Sequence, residues 1–196
     1  MNSSEAVSYV SIAVIAVSLF FIGTSLTGFA LIDTGEVNVT ITSTASIVFS
    51  TATLDFGTGA ISTSGLAWIN SEGANNSYWI GDQAPTTGLI LENDGNVNVS
   101  FDLNATKTPA DFLGGATPGI EVKVTDEDTG SCTDFGGSAF NPSYADIGTG
   151  AGQNACENFG FETGDDKVAI DVNLSMNSDA NSGENTITIT ATATAV

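Results

Sequence analysis

The chain has 196 residues, no histidine, no arginine and only three lysines against 23 acidic side chains, for a formal net charge of −20 and an isoelectric point near 4.1. That balance repels nucleic acid and anionic headgroups, and it removes the usual general base, the commonest zinc ligand and the bidentate clamp for carboxylate or phosphate. No enzyme activity, small-molecule substrate or cofactor is therefore expected, while a hydrophobic fraction of 41% is enough for a folded core.

The first feature in chain order is the stretch from Ala6 to Ile32, which contains no charged side chain. It is apolar on every helical face, so it predicts a helix surrounded by hydrocarbon or by other apolar helices, about 40 Å long if fully helical. The only basic residues, Lys107, Lys123 and Lys167, are far from the flank that should orient such a segment in a membrane. One expectation is thus a basic leader ahead of Met1, removed to leave Met1 as the mature terminus. Gly23 to Gly28 is rich in poor helix formers, and Asp33, Thr34 and Gly35 make a stop.

A charge-free run beginning a few residues into the chain, with a single carboxylate at Glu5 and a β-rich remainder, resembles the type IV pilins, most closely the archaeal pilins and archaellins. The resemblance covers about the first sixth of the chain; it lacks the initial Phe and the mid-run proline of bacterial members, the first proline being Pro85. It implies a filament subunit whose N-terminal helix, residues 1–33, packs in a filament core through Met1, Glu5, Tyr9, Ile12, Ile15, Phe20 and Phe21. A buried carboxylate needs a cation, and the amine of a neighbour's Met1 would supply it to Glu5 and set the register between subunits.

From Glu36 the period changes to two. "EVNVTIT" places Val37, Val39 and Ile41 on one face, and "ASIVFSTATLDFG" continues with Ile47, Phe49 and Leu54 inward. Strands are also expected at 66–70, 78–80, 89–92, 97–104 and 119–126, with a short turn or helical piece at 109–114. Asn93-Asp94-Gly95-Asn96 between two alternating runs predicts a hairpin. "KVAIDVNLS" and "NTITITATATAV" complete the set, the first with Val168, Ile170, Val172 and Leu174 on one face, the second with Ile187, Ile189, Ala191 and Ala193. The last strand has no charge after Glu184 and is able to join another subunit if left at an edge.

Cys132 and Cys156 bracket the longest stretch read as irregular, including the loop "GTGAG" at 148–152, and an even count in an exported chain predicts a disulfide worth roughly 3 kcal/mol. The acidic clusters at 126–130 and 162–166 lack the alternating ligand spacing of a Ca²⁺ loop and are read as solvated turns. Sequons at Asn38, Asn75, Asn98, Asn104 and Asn173 are candidates for N-linked glycans, with Asn2 set aside at the start of the apolar run. Trp68, Tyr78 and Trp79 are read as core filling or as an aromatic binding surface.

The expected class is a long N-terminal hydrophobic α-helix, residues 1–33, followed by an all-β sandwich of Greek-key or immunoglobulin-like type, residues 34–196. The expected function is a pilin: a structural subunit of an extracellular, adhesive filament, held in the membrane before assembly and partnered by itself. Three alternatives stay open. They are an archaellin, a membrane-anchored binding domain, and a strand-exchanging matrix fibre resembling the TasA and camelysin group.

Overall fold

The run Lys167–Met176 alternates so regularly that Val168, Ile170, Leu174 and Met176 are all buried on one face, and this strand becomes the axis of the structure. In the computed structural model of the chain, the described residues are 39–62 and 65–196. The chain divides into two units, Met1–Ile41 and Thr42–Val196.

Twelve strands follow in order: β1 (Val48–Thr51), β2 (Gly59–Ile61), β3 (Ala67–Asn70), β4 (Trp79–Gly81), β5 (Leu89–Glu92), β6 (Val99–Ala105), β7 (Gly119–Asp126), β8 (Cys132–Asp134), β9 (Ala145–Asp146), β10 (Gln153–Phe159), β11 (Lys167–Met176) and β12 (Ile189–Ala195). A six-stranded antiparallel sheet runs β1-β5-β11-β7-β9, with β3 also on β11. One edge of β11 is shared: residues 167–170 pair with β5 and residues 173–176 with β3. Its other edge pairs with β7 from Val168↔Asp126 to Ser175↔Gly119. A four-stranded sheet runs β12-β6-β10-β8, and β2 pairs with β4.

The two larger sheets share one core. Val122, Val124, Val168 and Ile170 from the first meet Val99, Phe101, Leu103 and Phe159 from the second, all at most 1% exposed. The rings of Phe101 and Phe159 lie 5.3 Å apart at 59°, the tilted arrangement aromatic pairs favour. Ile47, Phe49 and Leu54 pack against this core as the alternation anticipated. One short helix, α1 (Pro109–Leu113), starts where Thr108 accepts from the Asp111 N–H and Pro109 occupies the first turn; it buries Phe112 and Leu113.

The expected fold class is corrected. The described chain is nearly all β, at 41% strand and 3% helix, with no helix of seven or more residues. No helix among the described residues is long and apolar enough to cross a membrane. Over the described residues the physical reason is the pattern itself, since β-branched residues recur at period two and offer no apolar stripe of helical period. The run assigned to a helix, residues 1–33, lies outside the described residues.

Two further readings change. The turn Asn93–Asn96 does not close a hairpin, because β5 and β6 belong to different sheets. The Asn93 side chain, 1% exposed, donates to the carbonyls of Val97 and Phe159 and so pins a corner between the sheets. The alternating run at 36–42 is not a strand over its described residues: Val39 and Ile41 are 75% and 82% exposed.

Removing the aromatic pair tests the common core. Phe101→Ala should lower unfolding stability by about 3–5 kcal/mol, measured by denaturant titration, whereas a loss below about 1 kcal/mol would mean the sheets do not share that cluster.

Candidate functional site

Among the described residues, two places stand out from an otherwise ordinary β domain. The first is the free edge of β12. An exposed strand edge is a template for another chain, and proteins blunt such edges with short strands, bulges, charge or proline. The other outer strands obey this: β1 has four residues and a register shift between Phe49 and Thr51, β8 has three residues and β9 two. β12 does not. Its seven residues, Ile-Thr-Ala-Thr-Ala-Thr-Ala, carry no charge and no proline, and pair with β6 without a break in register.

The direction of its unpaired groups follows from the ladder. Thr106 N–H donates to the Thr188 carbonyl and Val196 N–H donates to the Asn98 carbonyl, so even-numbered residues of β12 face β6. The N–H and C=O groups of Ile189, Ala191, Ala193 and Ala195 therefore point away from the sheet. The inward side chains of Ile189, Ala191 and Ala193 are only partly buried, while Val99, Phe101, Leu103 and Ala105 beside them on β6 are at most 2% exposed. The apolar face of this sheet thus runs out to an edge that small alanines leave thinly covered.

The second place is a polar cluster on the outer face of the six-stranded sheet. Lys123 on β7 and Asp171 on β11 are direct cross-strand partners. Lys123 Nζ lies 2.5 Å from Glu72 Oε1 and 3.8 Å from Asp171 Oδ2, with the lysine and aspartate side chains only 14% and 11% exposed. Ser71, fully buried just after β3, donates from Oγ to Asp171 Oδ1 at 2.9 Å and accepts the Val172 N–H at 3.0 Å. Tyr144 donates to Glu72 Oε2 at 2.9 Å, and its ring faces Lys123 Nζ at 5.0 Å. Burial pushes the Asp171 carboxyl above its ordinary value, against the hydrogen bond from Ser71, with the Glu72 charge adding to the rise and Lys123 opposing it. Glu72 is held below its ordinary value, first by its hydrogen bond to Lys123.

The residues singled out by sequence are distributed differently. Met1, Glu5, Tyr9, Ile12, Ile15, Phe20, Phe21 and Asn38 lie outside the described residues. Cys132 and Cys156 form a disulfide joining β8 to β10. The Asp126 carboxylate accepts from the N–H groups of Gly130 and Cys132, the work of a turn residue. Tyr78 is exposed and Trp68 and Trp79 half-buried, with the Trp79 indole donating to the Asp82 carbonyl. A glycan attaches through Asn Nδ2, and that atom already donates to Asn158 from Asn98, to the Gly150 carbonyl from Asn104 and to Glu121 from Asn173. Asn75 is exposed, in an isolated bridge to Ile69, and its side-chain amide donates to the carbonyl of its neighbour Asn76. The cluster of Ser71, Glu72, Lys123, Tyr144 and Asp171 was not anticipated.

No protein-family model, curated protein or solved structure matches the chain.

Burial, and then the hydrogen bond to Glu72, push the Tyr144 phenol well above its ordinary 10.0. A pKa raised in the folded state contributes stability below the unfolded value that is lost as pH rises past it. The stability difference between wild type and Tyr144→Phe should hold steady below that ordinary value and shift against wild type above it. Denaturant titrations across the alkaline range check this, and a difference that does not change with pH would contradict the placement of Tyr144.

Proposed function

We propose that this chain is a structural subunit of an extracellular, pilus-like homopolymer serving surface adhesion, and that the open edge of β12 is where one subunit joins the next. The observation that carries the reading is that edge: seven uncharged residues with outward N–H and C=O groups, on a chain whose net charge of −20 otherwise keeps copies apart. Two β12 edges pairing with each other would make a closed dimer, since the contact is its own partner; a filament needs a different element on the neighbour.

The strand-patterned residues before Thr42 supply one. Asn96 clamps the entry to the domain, accepting from Thr44 N–H and donating to the Thr42 carbonyl. Immediately before that clamp, Val39 and Ile41 alternate with polar residues and are exposed. Laid along β12 of a second copy, they would cover the thin face over Ala191 and Ala193 while the backbone completes the ladder. In this reading the uncharged run from Ala6 to Ile32 holds the subunit at the membrane before assembly, and Asn75 carries whatever glycan the filament displays. A single disulfide fits an oxidising, extracellular setting.

Ala193→Pro removes an outward N–H without touching the ladder to β6. The variant subunit should keep its disulfide and β-rich circular dichroism but fail to form sedimentable polymer, and Ile41→Ser should weaken polymer in the same way. Polymer from both variants at wild-type yield would overturn the edge as the assembly surface. A wild-type chain that enters detergent micelles only as monomer would instead favour a membrane-anchored binding domain.

A further inference from the structure

The polar cluster on the six-stranded sheet is more elaborate than an ion pair requires. We propose that Lys123 and Asp171 become joined by an intramolecular amide bond, formed by the chain itself, with Glu72 as the proton carrier. The proposal is independent of how subunits assemble.

The geometry supplies each part such a reaction needs. Cross-strand pairing of Lys123 with Asp171 fixes nucleophile and electrophile on the two longest strands, replacing a bimolecular encounter by a held one. Ser71 Oγ is oriented by the Val172 N–H that it accepts, so its own proton is aimed at Asp171 Oδ1. That bond strengthens as charge develops on Oδ1 in the tetrahedral intermediate. Oδ2, the oxygen on the lysine side, is the one that leaves. Glu72 Oε1 touches the amine, and Glu72 Oε2 is held by Tyr144, so the carboxylate cannot swing away.

Burial favours a neutral Asp171, and an uncharged carboxyl is the form an amine can attack. Glu72 is held low by the lysine it faces, an effect that vanishes once the ammonium has given up a proton. Water is kept from the carbonyl side by backbone: Gly88 runs so close that a Cβ there would stand 2.9 Å from Asp171 Oδ1.

The step balances without an oxidant or a co-reactant. The Nζ–Cγ bond forms and the Cγ–Oδ2 bond breaks. Of the three ammonium protons, one stays on the amide nitrogen, one leaves with Oδ2 and the acid's own proton as water, and one passes through Glu72 to solvent. The product replaces a largely buried ammonium, which is costly to keep from water, by a neutral amide. It also ties β7 to β11 covalently at the centre of the sheet.

Mass spectrometry of the purified full chain decides the matter. After proteolysis, wild type should give a fragment linking the β7 peptide to the β11 peptide, lighter than their sum by one water, in nearly all molecules. Glu72→Gln, which keeps the side chain's shape and its contact with Tyr144, should retain the Cys132–Cys156 disulfide yet give the two peptides unlinked at full mass. Unlinked peptides from a disulfide-bonded wild type would overturn the proposal. So would a water loss that maps to Asp94-Gly95 as a cyclic imide, or a linked fragment from Glu72→Gln at wild-type yield.

Discussion

β11 has to satisfy two different neighbours along one edge, β5 for its first half and β3 for its second, while β7 spans it continuously on the other. Since a one-residue slip would turn Val168, Ile170 and Leu174 to the outer face, the register of all three neighbours is fixed together. The outward residues of β11 are then placed with the same precision. Asp171 falls opposite Lys123 and beside Ser71, and Asn173 falls where its amide reaches Glu121. The polar cluster is thus a consequence of how the core is paired, and its members come from four separate segments of the chain.

The scarcity of cations gives each lysine a definite structural place. Lys123 sits inside the cluster; Lys167, at the start of β11, lies 3.5 Å from Asp166 and 3.8 Å from Glu92. Lys107 donates to the Thr186 carbonyl, steadying the approach to β12. Of these, only Lys123 is largely removed from water, and ion pairs as exposed as those of Lys167 are worth little in stability. With 23 acidic residues and no other side-chain cation, the surface is left strongly repulsive, so contact between copies is favoured where charge is absent. Among the described strands, β12 has the longest such edge.

What could be read from the sequence was what depends on local period. β6, β7, β11 and β12 keep strict alternation, and α1 announces itself through Thr108 and Pro109. β10 was hidden inside the stretch read as irregular, because its register shifts between Asn154 and Cys156 and again before Phe159. Those shifts put Ala155 and Cys156 side by side in the core and erase the period-two signal. The turn at Asn93–Asn96 has hairpin chemistry, but local φ preferences do not say whether a chain returns to its own sheet or crosses to the other; the burial of Asn93 decides that. The apolar alternation of Val39 and Ile41 was legible, whereas its lack of a partner strand was not. The run at 1–33, on which the helix expectation rested, lies outside the described residues.

The polar cluster shows why a site of this kind resists a linear reading. Lys123 and Asp171 each sit in the middle of an apolar, alternating run, where a charge is unexpected on a face that other elements cover. Each alone reads as a solvated outward residue of a strand. Only the pairing of β7 with β11 turns two oddities of opposite sign into one site, and only the position of β3 against the far end of β11 brings Ser71 and Glu72 to it. A lysine and an aspartate isolated at the centres of two long alternating strands are therefore worth testing as cross-strand partners before either is assigned to solvent.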